Sequence, residues 1–285
     1  MKRLLSIAFV VLFAASCGDS SEPAAGGGIE PQKDWKFGIA LWTFHDVDLP
    51  ASLNLVDSAG LLYIEPNTFH KSGQSLGDTL LGRLSATGLA AMKKQIADRG
   101  LVCESVYVVG DSTLSSWVAQ FEIAKALGAS FVTTEPPVNM LSSIDSIAGV
   151  YGIKVAIHDH WKGVSAYWHP DSTLKALEGH PNFGVCADVG HFPKSGVDPV
   201  NAIKQFSGRL LAIHLKDIAA ANDPTLKDVR AGKGIIDFPA IFNELKAQQF
   251  KGNIYIERDS IEPGGNLKSV RETITWYNDQ LSRLR

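Results

Sequence analysis

The chain has 285 residues, with 27 Lys and Arg against 30 Asp and Glu, a formal net charge of −3 and 45% hydrophobic residues. That composition is ordinary for a globular protein, and one large domain accounts for it. Basic and acidic residues are interspersed without a long run of either sign, so the electrostatic footprint of a nucleic-acid binder is missing and a small, uncharged or weakly charged ligand fits better.

The first residues have their own pattern. Lys2 and Arg3 precede an apolar run over residues 4–15, and Ala14, Ala15 and Ser16 lead into Cys17. This is the layout of a signal peptide, predicted over residues 1–17. The apolar run falls short of the ~20 residues a membrane-spanning helix needs. Cys17 resembles the lipobox cysteine of bacterial lipoproteins, with Ala14 where such boxes usually carry Leu. The alternative is an ordinary secretory signal cut near Ser16. Either layout predicts export, and the first predicts a lipid-anchored protein of the periplasm or cell surface. Residues 18–34, rich in Ser, Pro, Ala and Gly, have the composition of a flexible linker.

From Trp35 onward, short β-branched and aromatic runs alternate with longer stretches of helical period, the signature of βα units. Strands are predicted at 37–43, 62–65, 103–109, 131–135, 154–158, 184–188, 210–214 and 253–257, and helices at 84–99, 114–127, 142–151, 172–178, 199–206, 238–248 and 267–281. Gly100, Gly128, Gly152 and Gly208 stand where they would close helices. Eight units in about 250 residues predict an α/β fold of the (β/α)8 TIM-barrel type over 35–285. An open doubly wound sheet would carry a Gly-rich loop after its first strand, and Trp42-Thr43-Phe44-His45 is not one. Cys103 and Cys186, each in a strand-like run, are expected to be buried free thiols; a bridge between them is left open.

Catalytic residues of such barrels sit at the C-terminal ends of strands. Those ends are rich in ionisable side chains here: Glu65, Glu135, His158 with His160, Asp188 with His191, His214 with Lys216 and Asp217, and Glu257 with Arg258. Carboxylates converging on one rim repel one another unless a cation lies between them. One divalent ion held by Glu135, Asp188, His214 and Glu257 resolves this, and the mixed oxygen and nitrogen set suits Mn²⁺, Mg²⁺, Co²⁺ or Zn²⁺.

Three ordered motifs carry a resemblance: Asn182-Phe183-Gly184-Val185-Cys186-Ala187-Asp188-Val189-Gly190-His191-Phe192, then Ala212-Ile213-His214-Leu215-Lys216-Asp217, then Tyr255-Ile256-Glu257. Over 35–285 the chain resembles the sugar phosphate isomerase/epimerase family, whose xylose isomerase-like barrel is shared with the type 2 apurinic endonucleases. The resemblance implies metal ligation by Asp188, His214 and Glu257. Family epimerases take a fourth ligand, Glu, from strand five, where this chain has His158. Strand four offers Glu135, as in some relatives, so Glu135 is the expected fourth ligand and His158 the alternative ligand or base.

Those epimerases pass a proton between two metal-binding glutamates on opposite faces of an enediolate. His158 at one of those places points to asymmetric chemistry, with His158, Glu135 or Glu257 moving the proton and Lys216 steadying an oxyanion. His160, His191, Trp42, His45, Glu65 and Trp161 are expected on the substrate, and residues 227–233 in a loop lining the mouth. Export argues for an unphosphorylated carbohydrate, a keto sugar or sugar glycoside. The expected activity is isomerisation or epimerisation; the alternative is a lyase or hydratase acting on 3-keto-glycosides or 3-keto-2-hydroxyglucal. A non-catalytic glycan-binding lipoprotein and a phosphodiesterase are the remaining classes, the oligomeric state is open to homo-oligomers, and nucleic acid is not an expected partner.

Overall fold

The computed structural model describes residues 34–284. The expected signal peptide 1–17 with Cys17, and all but the last residue of the linker, lie outside the described residues.

Parallel strands form one sheet: β1 (Lys36–Ala40), β2 (Tyr63–Glu65), β3 (Val102–Cys103), β4 (Ser105–Tyr107), β5 (Phe131–Thr134), β6 (Lys154–Ile157), β7 (Phe183–Asp188), β8 (Leu210–Leu215) and β11 (Asn253–Ile256). Their order is β3-β2-β1-β11-β8-β7-β6-β5-β4. The two ends of that order, β3 and β4, are halves of one chain segment parted at Glu104, so the segment itself brings the sheet round on itself. At the break the Glu104 side chain meets Lys36 and Ser130. All eight expected strands are present, the third one divided. β9 (Asp217–Ile218) and β10 (Asp228–Val229) form a small antiparallel hairpin beyond β8 that the hydrophobic pattern did not announce.

Helices follow the strands: α1 (Leu49–Ala59), α2 (Ala86–Ala97), α3 (Leu114–Leu127), α4 (Leu141–Tyr151), α5 (Pro170–Leu177), α7 (Pro199–Gln205), α8 (Phe238–Ala247) and α9 (Leu267–Arg283), with the short α6 (His191–Lys194) after β7. Local chemistry sets their ends. Asp48 accepts a hydrogen bond from Ala51 N at 3.0 Å to start α1, with Pro50 in its first turn, and Thr113 caps α3 through Ser116 N. Gly128 closes α3 with φ of 91°, a conformation open to glycine at no steric cost. The sequence reading omitted α1 and α6, and it began α2 two residues early, at Leu84; Ser85 accepts from Gly88 N and sets the start.

The strands are covered on both faces, which is why β7 is buried along its whole length. One apolar layer fills the space between strands and helices. A second, inside the barrel, is built from Ala40, Phe131, Ala156, Cys186, Ala212 and Tyr255. Its alanines leave room for the two large rings, and the Tyr255 hydroxyl is in hydrogen-bond contact with Ser105 Oγ at 2.9 Å. Cys103 and Cys186 are free and buried. The ionisable side chains at the strand ends therefore stand on a packed floor, facing away from it.

Candidate metal centre

Asp188 ends β7 and His214 lies near the end of β8, while His158 and Glu257 directly follow β6 and β11. Each offers one ligand atom, and these four atoms lie within 4.8 Å of one another, all on buried residues. His158 Nε2, Asp188 Oδ2, His214 Nδ1 and Glu257 Oε2 have no hydrogen-bond partner among the described residues. His214 Nδ1 stands 2.6 Å from Glu257 Oε2, and Asp188 Oδ2 stands 2.8 Å from Lys216 Nζ, yet neither pair is aligned as a hydrogen bond.

What lies behind the imidazoles explains their orientation. His214 Nε2 meets Glu65 Oε1 at 2.8 Å, and His158 Nδ1 meets Glu135 Oε1 at 3.1 Å. In each pair the ring N–H donates to the carboxylate, which turns the other nitrogen's lone pair toward the shared point. Four buried, partnerless atoms with lone pairs toward one point fit a divalent cation; two nitrogens and two carboxylate oxygens make a donor set open to zinc and to harder ions. His158, Asp188, His214 and Glu257 would hold it.

Several expected roles change. Glu135, the expected fourth ligand, does not join the cluster. Its carboxylate is spent on His158 and on His160 Nδ1, so it orients imidazoles from outside. Glu65, expected on the substrate, is fully buried and accepts from Ser105 Oγ at 2.6 Å, from Thr133 Oγ1 and from His214. His191, also expected on the substrate, is buried: its Nδ1 donates to the Asp159 carbonyl at 2.7 Å, and its Nε2 accepts from Lys216 Nζ at 3.1 Å. Burial pushes its pKa down to about 4 against the pull of Asp188, so the ring stays neutral and can play both parts.

Lys216 is buried between Asp188 and Asp259, whose Oδ1 lies 2.9 Å from Nζ. Burial disfavours its charge, but Asp188, Asp259 and Glu257 outweigh that and keep it an ammonium. Gly190 crosses this side chain so closely that a Cβ there would lie 2.7 Å from Lys216 Cγ, which is why the turn after Asp188 carries glycine.

Above the cluster opens a cavity of about 510 Å³. Trp42, His45, His160 and Trp161, the expected substrate contacts, line it, and the Trp42 and His45 rings stack at 4.2 Å. Asn67, Tyr107, Lys194 and Asp259 line it too, and sequence reasoning gave them no part. Asp259 had a signal, since it stands two residues beyond Glu257; Lys194 had none, because α6 was not foreseen. Of the loop expected at the mouth, only Lys227 reaches the cavity, together with Pro224, Thr225 and Leu226. Arg230 turns away to pair with Glu262 and Glu272, and Asp217 gathers the N–H groups of Gly232, Gly234 and Ile236.

Residues 53–280 match the family model described as xylose isomerase-like TIM barrel. The chain belongs to that family. It is similar to an uncharacterized protein from Parabacteroides distasonis, with 33% identity, 86% of this chain and 99% of that chain covered, and a TM-score of 0.69. The IOLI protein, in a structure with a binding zinc atom, shares the fold at 20% identity, with 88% of this chain and 99% of that chain covered and a TM-score of 0.72. Among curated relatives, an inosose dehydratase of Clostridium botulinum is 30% identical over 136 residues, 42% of this chain and 45% of that protein. An inosose isomerase of Halalkalibacterium halodurans is 25% identical over 247 residues, 75% of this chain and 84% of that protein. The chain spans about half the length of the inosose dehydratases it matches.

Two outcomes test the centre. Elemental analysis of the purified protein should find one divalent ion per chain, absent from His158→Ala and Asp188→Ala; Glu135→Gln should keep the fold and weaken metal affinity roughly 10- to 100-fold, as loss of an imidazole's outer partner does. Burial opposes a charged His158, but Asp188 and Glu135 prevail and push its pKa up to about 9 in the metal-free protein. Below that pH the ring carries a proton that metal uptake must expel, so affinity should rise with pH toward about 9. Calorimetry in buffers of different ionisation enthalpy should register proton release near neutral pH.

Proposed function

We propose that this protein is a metal-dependent enzyme that moves a proton α to the carbonyl of a keto sugar or a related cyclic polyol ketone, and that it couples this to loss or gain of a substituent on the neighbouring carbon. One observation carries the reading: the two sides of the centre are chemically unlike. Glu257 puts a carboxylate on one side. On the other side stands His158, with one nitrogen tied to Glu135 and the other turned into the ligand cluster, so it has no site left to exchange a proton with substrate. A symmetrical exchange between two carboxylates has no second carboxylate to use.

An ion at this centre would polarise the carbonyl and the adjacent hydroxyl, which lowers the barrier to taking the α-proton. Glu257 is placed to take it. His160, half-buried on the cavity wall with Glu135 behind it, is placed to protonate a leaving oxygen or to deprotonate an entering water. Lys216, held charged and buried, sets a positive field beside Asp188 and Glu257 that favours negative charge on the substrate oxygens. Trp42, His45 and Trp161 offer flat faces for the apolar side of a sugar ring.

The inosose dehydratases and the likeness in fold to a probable 3-DHS dehydratase support the elimination and hydration reading. The inosose isomerase, whose match runs over more of the chain, supports isomerisation as the second reading. Structures of the fold with zinc and with magnesium support an ion of that kind without choosing between them. Lys2, Arg3, the apolar run after them and Cys17 support an exported lipoprotein, and hence an unphosphorylated carbohydrate.

Candidate keto sugars followed by NMR in D₂O separate the two chemistries. Release of a substituent with loss of the α-proton to solvent, or uptake of water with one deuterium entering at the α-carbon, is expected; interconversion of two isomers of unchanged composition would establish the second reading instead. For the anchor, Cys17→Ala should move the protein from the membrane to the soluble fraction after cell breakage, and an unchanged membrane fraction would refute lipidation at Cys17.

A further inference from the structure

Two lysines of the cavity wall, Lys194 and Lys227, take no part in the centre and pair with no carboxylate among the described residues; Lys227 is exposed to solvent, and Lys194 is not. Lys194, at the end of α6, is only 6% exposed, and it lines the cavity above the ligand cluster. Its Nζ stands 4.2 Å from the centroid of the Trp161 ring, on the ring's face. Among the described residues it makes no salt bridge and no hydrogen bond. Asp259, on the same wall, is already engaged by Lys216 Nζ at 2.9 Å. Lys216 and Arg258, the other buried cations at this end of the barrel, both hold carboxylates.

The Lys194 side chain is largely screened from water while Nζ itself opens on the cavity; an ammonium so placed with no anion is under-solvated, and an aromatic face offsets only part of that loss. Burial accordingly draws the Lys194 pKa below the ordinary ammonium range. The arrangement becomes favourable once a ligand in the cavity brings a negative oxygen to Nζ. Lys194 emerges from the turn that follows Asp188, so a ligand gripped at the cluster by one end can present another substituent to it.

We propose that Lys194, steadied over Trp161, is a substrate-binding residue for a carboxylate, and that the enzyme takes acidic sugars of the uronate class. The assignment rests on the proposed carbohydrate function and narrows it. A carboxylate oxygen accepts from the ammonium in a charge-assisted hydrogen bond, and a neutral hydroxymethyl group at the same place gains much less. Trp161 holds the ammonium over one face and leaves its other side to the ligand.

Calorimetric titration of the full chain with D-glucuronate and with D-glucose tests this. D-Glucuronate should bind roughly ten- to a hundredfold more tightly than D-glucose, the range expected for one hydrogen bond to a charged group. Lys194→Met, which removes the charge and keeps a side chain of similar length, should abolish that preference while D-glucose still binds and thermal stability does not fall, and Lys194→Arg should restore most of it. Equal affinity of wild type for the two sugars would overturn the assignment with the carbohydrate reading intact, and so would a preference that survives in Lys194→Met. Loss of turnover on neutral sugars in Lys194→Met, with the sugar preference absent from wild type, would overturn it in favour of an oxyanion formed during the reaction. Should wild type bind neither sugar, this inference falls, while the proposed carbohydrate function stands or falls separately on turnover of keto sugars followed by NMR. If Lys194→Met does not fold, Lys194→Gln carries the same comparison with the same outcomes.

Discussion

The carboxylate of Glu65 is the interaction on which the rest of the centre depends. It is wholly buried at the end of β2, and it accepts from Ser105 on β4, Thr133 on β5 and His214 on β8. A buried carboxylate is tolerated only when its oxygens are satisfied, and here three strands from around the barrel satisfy them. The same contacts fix the His214 tautomer and aim its free nitrogen at Asp188 and Glu257. Glu135 does for His158 on the neighbouring side what Glu65 does for His214. The centre is thus built twice over, as four inner atoms and as two carboxylates behind them, and the outer pair joins it to the closure of the barrel.

That outer layer also makes the mouth unequal. On the β1 and β2 side the wall is flat and aromatic, with Trp42 stacked on His45 and Phe69 set edgewise to both Trp42 and Tyr107. Toward β7 and β11 the wall is charged, with Lys194 and Asp259 on it and the buried Lys216 behind Asp259. A ring lying on the first wall has its polar edge turned toward the second. This inequality is the physical basis of the proposed one-sided proton chemistry, because an enzyme that inverts a carbon by exchange across a plane needs comparable groups on both faces. It also bears on selectivity: apolar faces accept many sugars, whereas a buried ammonium distinguishes sharply between a neutral and a negative substituent.

The sequence by itself determined the barrel, because a parallel strand buried on both faces must be a short apolar run, and eight such runs alternating with helical periods leave few other architectures. It also determined that Asp188, His214 and Glu257 come out at the strand ends, since a residue at the end of a buried run has no room in the packed floor. It omitted α1, α6 and the β9–β10 hairpin. The last two are short segments with too few residues for a period to show, and α1 lay between runs read only for strands.

Only the tertiary structure decided which carboxylates face the centre and which stand behind it. Glu65, Glu135 and Glu257 look alike in the sequence, each at or just past the end of a strand. Their parts are separated by distances between strands that are far apart in the chain: 2.8 Å from Glu65 to His214, 149 residues away, and 3.1 Å from Glu135 to His158, 23 residues away. A carboxylate that reaches an imidazole's N–H becomes its support, and one that finds no donor is left facing the cation site. The choice depends on which neighbour is within hydrogen-bond reach, and barrel closure sets that. Lys194 became visible the same way, because the lack of a partner can be seen only when every neighbour is in place.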